Sequence, residues 1–279
     1  MFKKEISDYL LGNKLYGDDL SLKDIESWYK DEEEGYANLG AKEKEKYQYV
    51  YHEINKLLGF SHINKNRIHN VLGLGSAYGE EFLPIIDKIE NITILERSKY
   101  FSNTKEIHGT PCKYVKPNIN GDMPFADNKF ELIVIFSALH HIPNVTHVLK
   151  ECNRVLSEVG VVLVREPIVS MGDWSKNRKG LTKNERGIPL DIFKTSISRS
   201  GFEIRHQSLW NFSLLPKIFN KFGVPAYNNA FLTKLDLFLS HIFRWNLRYH
   251  ASKLVHKFRP ASVFMVLTKV NTIKNGLTI

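Results

Sequence analysis

From Arg67 onward, short apolar runs alternate with helix-forming stretches, and this alternation restricts the possible folds more than any other feature of the chain. The runs are HNVLGLG, ITILE, CKYV, FELIVIF, VGVVLVREP and FEIRHQSL, with ASVFMVLTKV near the C-terminus. Helical sequence fits between them, including THVLKECNRVLSE from Thr146. Apolar strands joined by helices predict a parallel sheet with both faces covered.

The flanking regions read differently. Residues 1–66 are expected to be a helical lid. Within it, SLKDIESWYKDEEEGYANLG opens on Ser21 and Asp24, a capping-box-like start. AKEKEKYQYVYHEINKLLGF predicts a helix with Tyr47, Val50, Tyr51, Ile54, Leu57 and Leu58 at helical spacing and Gly59 as its stop. Trp210 to Pro260, between the last two strands, is too long for a plain connection, which typically runs about 4–6 residues. It predicts an inserted helical cap. The division is therefore a lid over 1–66, a core over 67–209, a cap over 210–260 and a final strand and tail over 261–279.

The stretch NVLGLGSAYGEEF, Asn70–Phe82, reads as a strand, a glycine turn and the start of a helix. In an open parallel sheet, ligands bind beyond the carboxyl ends of the strands where strand order reverses. Gly75 and Gly79 permit the sharp bend and the close approach of a ligand, and a helix from Glu80 presents unpaired N–H groups. Glu96, closing ITILE, is placed to accept the hydroxyls of a ribose; an ordinary turn with a surface glutamate is the alternative. A nicotinamide dinucleotide fits poorly, because the sixth position counted from Gly73 is Tyr78 rather than glycine.

A second region is more specific. MPFADNKFELI, ALHHIP and ECNRVLSEVGVVLVREP, within Gly121–Pro167, stand in the order and spacing of the core of class I S-adenosylmethionine-dependent methyltransferases. Residues 67–170 closely resemble that family. The resemblance implies a Rossmann-like α/β sheet, mostly parallel with an antiparallel last strand, together with the helical lid and insertion. It implies S-adenosyl-L-methionine as cofactor, held by Gly73, Gly75, Ser76, Ala77 and Gly79 at the turn. Glu96 and Arg97 would lie at the ribose, Asp122 and Met123 at the adenine, and Phe136, Ser137 and Ala138 along the methionine side. Tyr36 would fold over from the lid. The sequence departs from the family at Gly73, where an acid is usual, at Ala77, and at Val159-Gly160 in place of Pro-Gly.

Methyl transfer from a sulfonium is a direct displacement that needs alignment and exclusion of water, so a missing catalytic triad or metal set does not count against it. A general base is optional. His140, His141 and Glu166 are the candidates for the catalytic position; equally, a histidine can pack to hold the turn and Glu166 can cap the next segment. Glu185 and Arg186, in NERG, are offered to a polar or anionic acceptor, or belong to a solvated loop. No metal is expected.

The chain carries 39 Lys and Arg against 30 Asp and Glu, a formal charge of +9. This favours anionic partners such as nucleotides, phosphorylated sugars, RNA or acidic lipid, or else marks a solvated Lys-rich surface. Cys112 and Cys152 form no metal-binding pair and are expected to be buried thiols. The N-terminus lacks the apolar core of a signal peptide and no run of 18 apolar residues occurs, which predicts a cytoplasmic protein. The expected activity is methylation of a small molecule, with O-methylation of a sugar, nucleotide-linked or phosphorylated glycan precursor in view. RNA methylation and a catalytically degenerate binding protein are the competing readings. Nucleic acid is not the expected partner, peripheral membrane contact through the basic amphipathic insertion is an alternative to its packing as a cap, and the oligomeric state is open.

Overall fold

The computed structural model describes residues 2–38, 47–98, 101, 104–174, 176 and 178–270, without the side chains of 2–6 and 33–38. Eight strands form one sheet: β1 (Ile68–Leu74), β2 (Ile89–Leu95), β3 (Glu106–Ile107), β4 (Thr110–Val115), β5 (Phe130–Phe136), β6 (Leu156–Pro167), β7 (Phe202–Phe212) and β8 (Pro260–Lys269). Their order is β3-β4-β2-β1-β5-β6-β8-β7. β4, β2, β1, β5 and β6 are parallel, and β8 runs antiparallel between β6 and β7. The expected mostly parallel sheet with an antiparallel last strand is therefore observed. The two-residue β3, paired antiparallel with β4, has no counterpart in the sequence reading.

Side chains alternate between the faces along each central strand. Ile133 and Ile135 of β5, Val162 and Val164 of β6, and Val263, Met265 and Leu267 of β8 enter one core. There they meet α4 (Val145–Val155) and α5 (Leu190–Arg199) through Leu149, Cys152, Phe193 and Ile197. Leu132, Val134, Leu163, Phe264 and Val266 enter the other core, against Ile54 and Leu58 of α3 (His52–Leu58) and against Phe82 and Ile85. Burial on both faces is why these strands read as continuous apolar runs.

Two helix expectations are corrected. The helix predicted in AKEKEKYQYVYHEINKLLGF with its stop at Gly59 begins, among the described residues, only at His52, and residues 47–51 are non-helical. The main-chain amide of His52 is taken by the side chain of Asn228, whose amide also donates to the Tyr49 carbonyl. A residue 176 positions away thus fixes where the helix starts. The segment after the glycine turn, Glu80–Lys88, is 3-10 rather than α-helical and carries Pro84. Upstream, α1 (Phe2–Leu11) and α2 (Leu22–Asn38) form the lid, and Ser21 and Asp24 make the expected reciprocal start of α2.

The insertion contains α6 (Leu215–Asn220) and α7 (Ala230–Ile242), seated on a small core of Phe212, Leu215, Ala226 and Leu232. The buried Asp236 carboxylate locks α7 to the end of β7 by accepting from the amides of Asn211 and Phe212, both at 2.8 Å, and from the Tyr227 hydroxyl at 3.1 Å. No residue of 210–260 lines the main cleft, so the insertion packs on the β7 edge of the sheet rather than capping that cleft.

Candidate active site

A cleft of about 450 Å³ opens at the carboxyl ends of β1, β2, β5 and β6. One end is the glycine turn. Gly75 has φ +66°, and a Cβ there would stand 2.8 Å from the Cβ of Ala138, so only glycine fits both the conformation and the space. Ala77, at φ +45°, and Ser137, at φ +59°, hold the left-handed region without being glycine. Both line the cleft, and such strain persists only where the surroundings enforce it. The Ala77 carbonyl accepts from the Tyr114 hydroxyl at 2.9 Å, and the Ser137 amide donates to the Arg165 carbonyl at 2.7 Å.

Leu74, Gly75, Ala77, Glu96, Arg97, Met123, Phe136, Ser137 and Ala138 line this cleft together. Burial raises the pKa of Glu96, against the pull of neighbouring amides such as that of Ser98, which donates to Oε1 at 3.0 Å. Arg97 lies 3.9 Å over the ring of Tyr29 and so joins the lid to the end of β2. Other residues named from sequence lie elsewhere. Gly73, Ser76 and Gly79 shape the turn from beneath. A Cβ on Gly73 would stand 2.2 Å from Ser76 Oγ, so Ser76 occupies the space where the resembling family carries an acid. Asp122 points away, with its carboxylate on Asn120 and His147, and its neighbour Met123 takes the cleft position. The side chain of Tyr36 lies outside the described residues.

The other end of the cleft is the turn Leu139–Pro143. Beneath it Glu166 is fully buried, and its carboxylate accepts from the amides of Ala138 at 2.8 Å and Leu139 at 2.7 Å and from His140 Nδ1 at 2.7 Å. Glu166 therefore supports the turn instead of facing an acceptor. Burial acts to lower the pKa of His140, but the carboxylates of Glu166 and Glu185 prevail and raise it to about 9. Glu185, whose Oε1 stands 3.6 Å from His140 Nε2, is correspondingly held at about 2 by the two histidines despite its burial. His140 is thus an imidazolium between two carboxylates at neutral pH, which removes it as a base.

His141 is the opposite case. Burial and the charge of His140 lower its pKa, so it is neutral at pH 7. Its Nδ1 lies 2.9 Å from Glu32 Oε2; with the proton on Nδ1, the basic lone pair stands on Nε2. Glu32, from α2, lines the cleft beside His141; its Oε2 accepts from Thr182, and its buried Oε1 has no hydrogen-bond partner among the described residues. His140, His141 and Glu185 bring donor atoms within 4.8 Å of one another. A metal held there would have to displace the proton of His140.

Arg186, expected at the acceptor, is instead a buried clamp. Its guanidinium donates to the carbonyls of His140 at 2.7 Å, Ile142 at 2.9 Å and Tyr16 at 3.1 Å, with longer contacts to Leu139 and Pro143. Glu185 also stands outside the cleft lining.

Three features escaped the sequence reading. Glu32 sits in an acidic run that carries no local signal. Residues 47–51 were assigned to a helix and instead line the cleft with Tyr47, Tyr49 and Tyr51. Arg165 interrupts the apolar run VVLVREP, and that anomaly was the signal available. It is buried in the cleft wall, 4.1 Å over the ring of Tyr51 and 5.0 Å from that of Phe136. Its guanidinium donates to Asn55 at 3.2 Å, and its Nε has no hydrogen-bond partner among the described residues.

Near Arg165, Glu81 is also buried, and its pKa is pushed up to about 7 by burial, with the Arg165 charge opposing. As pH rises from about 4.5 to 7, the unfolded chain releases this proton before the folded one, so stability falls across that window, by about 3 kcal/mol in all. Glu81→Gln should raise the melting temperature at pH 8 and leave it unchanged at pH 4.5. Equal melting temperatures at pH 8 would show that the carboxylate is not desolvated.

Residues 72–164 match the family model of the methyltransferase domain. A segment of 114 residues is 30% identical to the sterol 4-C-methyltransferase strm-1 of Caenorhabditis elegans, covering 39% of this chain and 34% of that protein. The chain thus spans about a third of the length of the curated relative it matches. Among solved structures, a chain of the Haloferax volcanii complex between the Trm112 methyltransferase activator and a methyltransferase superposes with TM-score 0.53 at 13% identity, over 78% of this chain and 89% of that one. The [4+2]-cyclase SpnF superposes with TM-score 0.51 at 14% identity, over 77% and 79%. These likenesses establish the fold. A cyclase among them shows that the fold by itself does not fix the reaction.

Proposed function

We propose that this chain, whose residues 72–164 match the family model of the methyltransferase domain, uses S-adenosylmethionine to methylate a small-molecule acceptor. The carrying observation is that one cleft joins the glycine turn and Glu96 at one end to the His141–Glu32 pair at the other. Glu96 suits the ribose hydroxyls, and Met123, Phe136 and the Gly75–Ala77 backbone suit the rest of the cofactor. When bound, the cofactor supplies an activated methyl group on a sulfonium. His141 Nε2 is the group that takes the acceptor's proton, and Glu32 steadies the imidazolium formed. His140, Glu166 and Arg186 hold that geometry.

For the acceptor we favour an O-nucleophile on a molecule with an anionic group, such as a phosphorylated or nucleotide-linked sugar. Arg165, a cation in the cleft wall whose Nε has no hydrogen-bond partner among the described residues, supports the anion, and Tyr47, Tyr49 and Tyr51 offer aromatic faces for a sugar or base. A cleft of this size suits a small molecule better than RNA.

Calorimetry with the demethylated cofactor product tests the first half. Wild type should bind, and Glu96→Ala should weaken binding at least tenfold, about 1.4 kcal/mol. Unchanged affinity in the variant would remove the ribose assignment, and no binding by wild type would remove the reading. Transfer of labelled methyl groups into metabolite and RNA fractions tests the second half. Label confined to RNA would overturn the small-molecule acceptor, and binding without transfer to any fraction would favour a degenerate binding protein.

A further inference from the structure

The insertion holds most of the protein's charge and exposes its largest apolar side chains. Residues 211–260 contain eight Lys and Arg and a single acid, Asp236, which is +7 of the chain's +9. Seven of the cations are exposed, whereas Asp236 is buried against the end of β7. In the same segment Phe222 is 77% exposed, Phe231 73%, Phe238 60%, Trp245 70%, Leu254 73% and Val255 55%.

Helix α7 carries apolar side chains on its exposed side as well as on its packed side. Its buried positions are Leu232, Thr233, Asp236 and Ser240, while Phe231, Phe238, Ile242 and Trp245 follow a helical stripe on the exposed side and run past its end. Leu235, Leu239 and Phe243 share helical spacing with Phe238 and Ile242, but the first three pack on the small core and the last two do not. Asn246 ties the turn carrying Trp245 to the one carrying Leu254 and Val255 through the carbonyls of Val255, at 2.8 Å, and Phe258, at 2.9 Å. Trp245, Leu254 and Val255 are thereby held together at the end of the stripe that Phe231 and Phe238 begin, and exposed lysines and arginines stand among them in the sequence; this surface is the platform.

We propose that this platform docks on an anionic lipid bilayer, with its aromatic side chains entering the acyl boundary and its cations meeting the headgroups. Apolar side chains interleaved with Lys and Arg suit an interface that is itself apolar inside and negative outside. A protein partner fits less well, since the centre of a protein interface is depleted of Lys. A second copy would bring +7 against +7. Among the described residues no helix is long and apolar enough to cross a membrane, so the contact is peripheral. The inference does not depend on the proposed reaction.

The test is sedimentation of the full chain with phosphatidylcholine vesicles, with and without about a third phosphatidylserine, at low and high salt. Binding should be at least about tenfold tighter to the anionic vesicles and should weaken with salt. The triple variant Phe231→Ser, Phe238→Ser, Trp245→Ser should lose at least about tenfold in vesicle affinity while keeping its melting temperature and its affinity for the demethylated cofactor product. Wild type that fails to prefer anionic vesicles overturns the proposal. So does a triple variant that binds vesicles as wild type does. Light scattering that shows a dimer abolished by the same substitutions, without vesicle binding, would assign the platform to a second copy instead.

Discussion

His141→Ala should lower turnover by about 10²–10⁴-fold while leaving affinity for the cofactor product close to that of wild type. The base assignment rests on a contrast between adjacent residues. His140 is held protonated by Glu166 and Glu185, and its charge together with burial keeps His141 neutral. Turnover in wild type should rise with pH through an apparent pKa below 6.5, as His141 loses its proton, and then stay level. It should decline only as His140 deprotonates near 9, where the ion pairs holding the turn are lost as pH rises. Glu32 raises the His141 pKa, so Glu32→Gln should move the acid limb to lower pH and reduce the plateau. The measurement is turnover against pH on the acceptor identified by methyl labelling. A His141→Ala enzyme with near-wild-type turnover and an unchanged profile would leave alignment alone as the source of catalysis.

Arg186→Ala should produce the largest loss of stability, about 3–5 kcal/mol, because it strips donors from buried carbonyls and leaves a cavity. The turn over Glu166 presents five successive carbonyls, from Leu139 to Pro143. Arg186 takes four of them, and the Trp28 indole takes that of His141 at 2.8 Å. The same guanidinium reaches the Tyr16 carbonyl and stands 4.9 Å from the Trp28 ring, so its loss also loosens the lid. Burial pulls its own pKa down to about 10, which marks how dry the site is. At about 2–4 °C per kcal/mol for a chain of this size, the melting temperature should fall by about 10 °C. Cofactor-product affinity should fall with it, because Ala138 and Ser137 are placed by this turn. Arg186→Lys should recover only part of the loss, since an ammonium cannot fork to several carbonyls. A melting temperature within 2–3 °C of wild type, a change of about 1 kcal/mol, would show that water replaces the guanidinium and that the clamp is not structural.

The local pattern determined the sheet. Alternating apolar runs and helices, the glycine turn from Gly73 to Gly79, and Glu96 closing the next strand are each read from neighbouring residues, because strand periodicity and turn chemistry act over a few positions. The ordered motifs from Met123 to Pro167 carried the resemblance for the same reason. Tertiary structure decided the roles at the other end of the cleft. Glu32 meets His141 across 109 positions and Arg186 meets the His140 carbonyl across 46. Sequence offered Glu166 either to the acceptor or to a capping role, and Arg186 either to the acceptor or to a solvated loop, because carboxylates and guanidinium groups at strand ends and in loops serve in both ways. Burial decided between them and made both supports of the turn, since a charge taken from water must be matched by the dipoles and charges around it. Burial and neighbouring charge also made His140 a cation and left His141 neutral, a difference that no property of two identical adjacent residues could reveal.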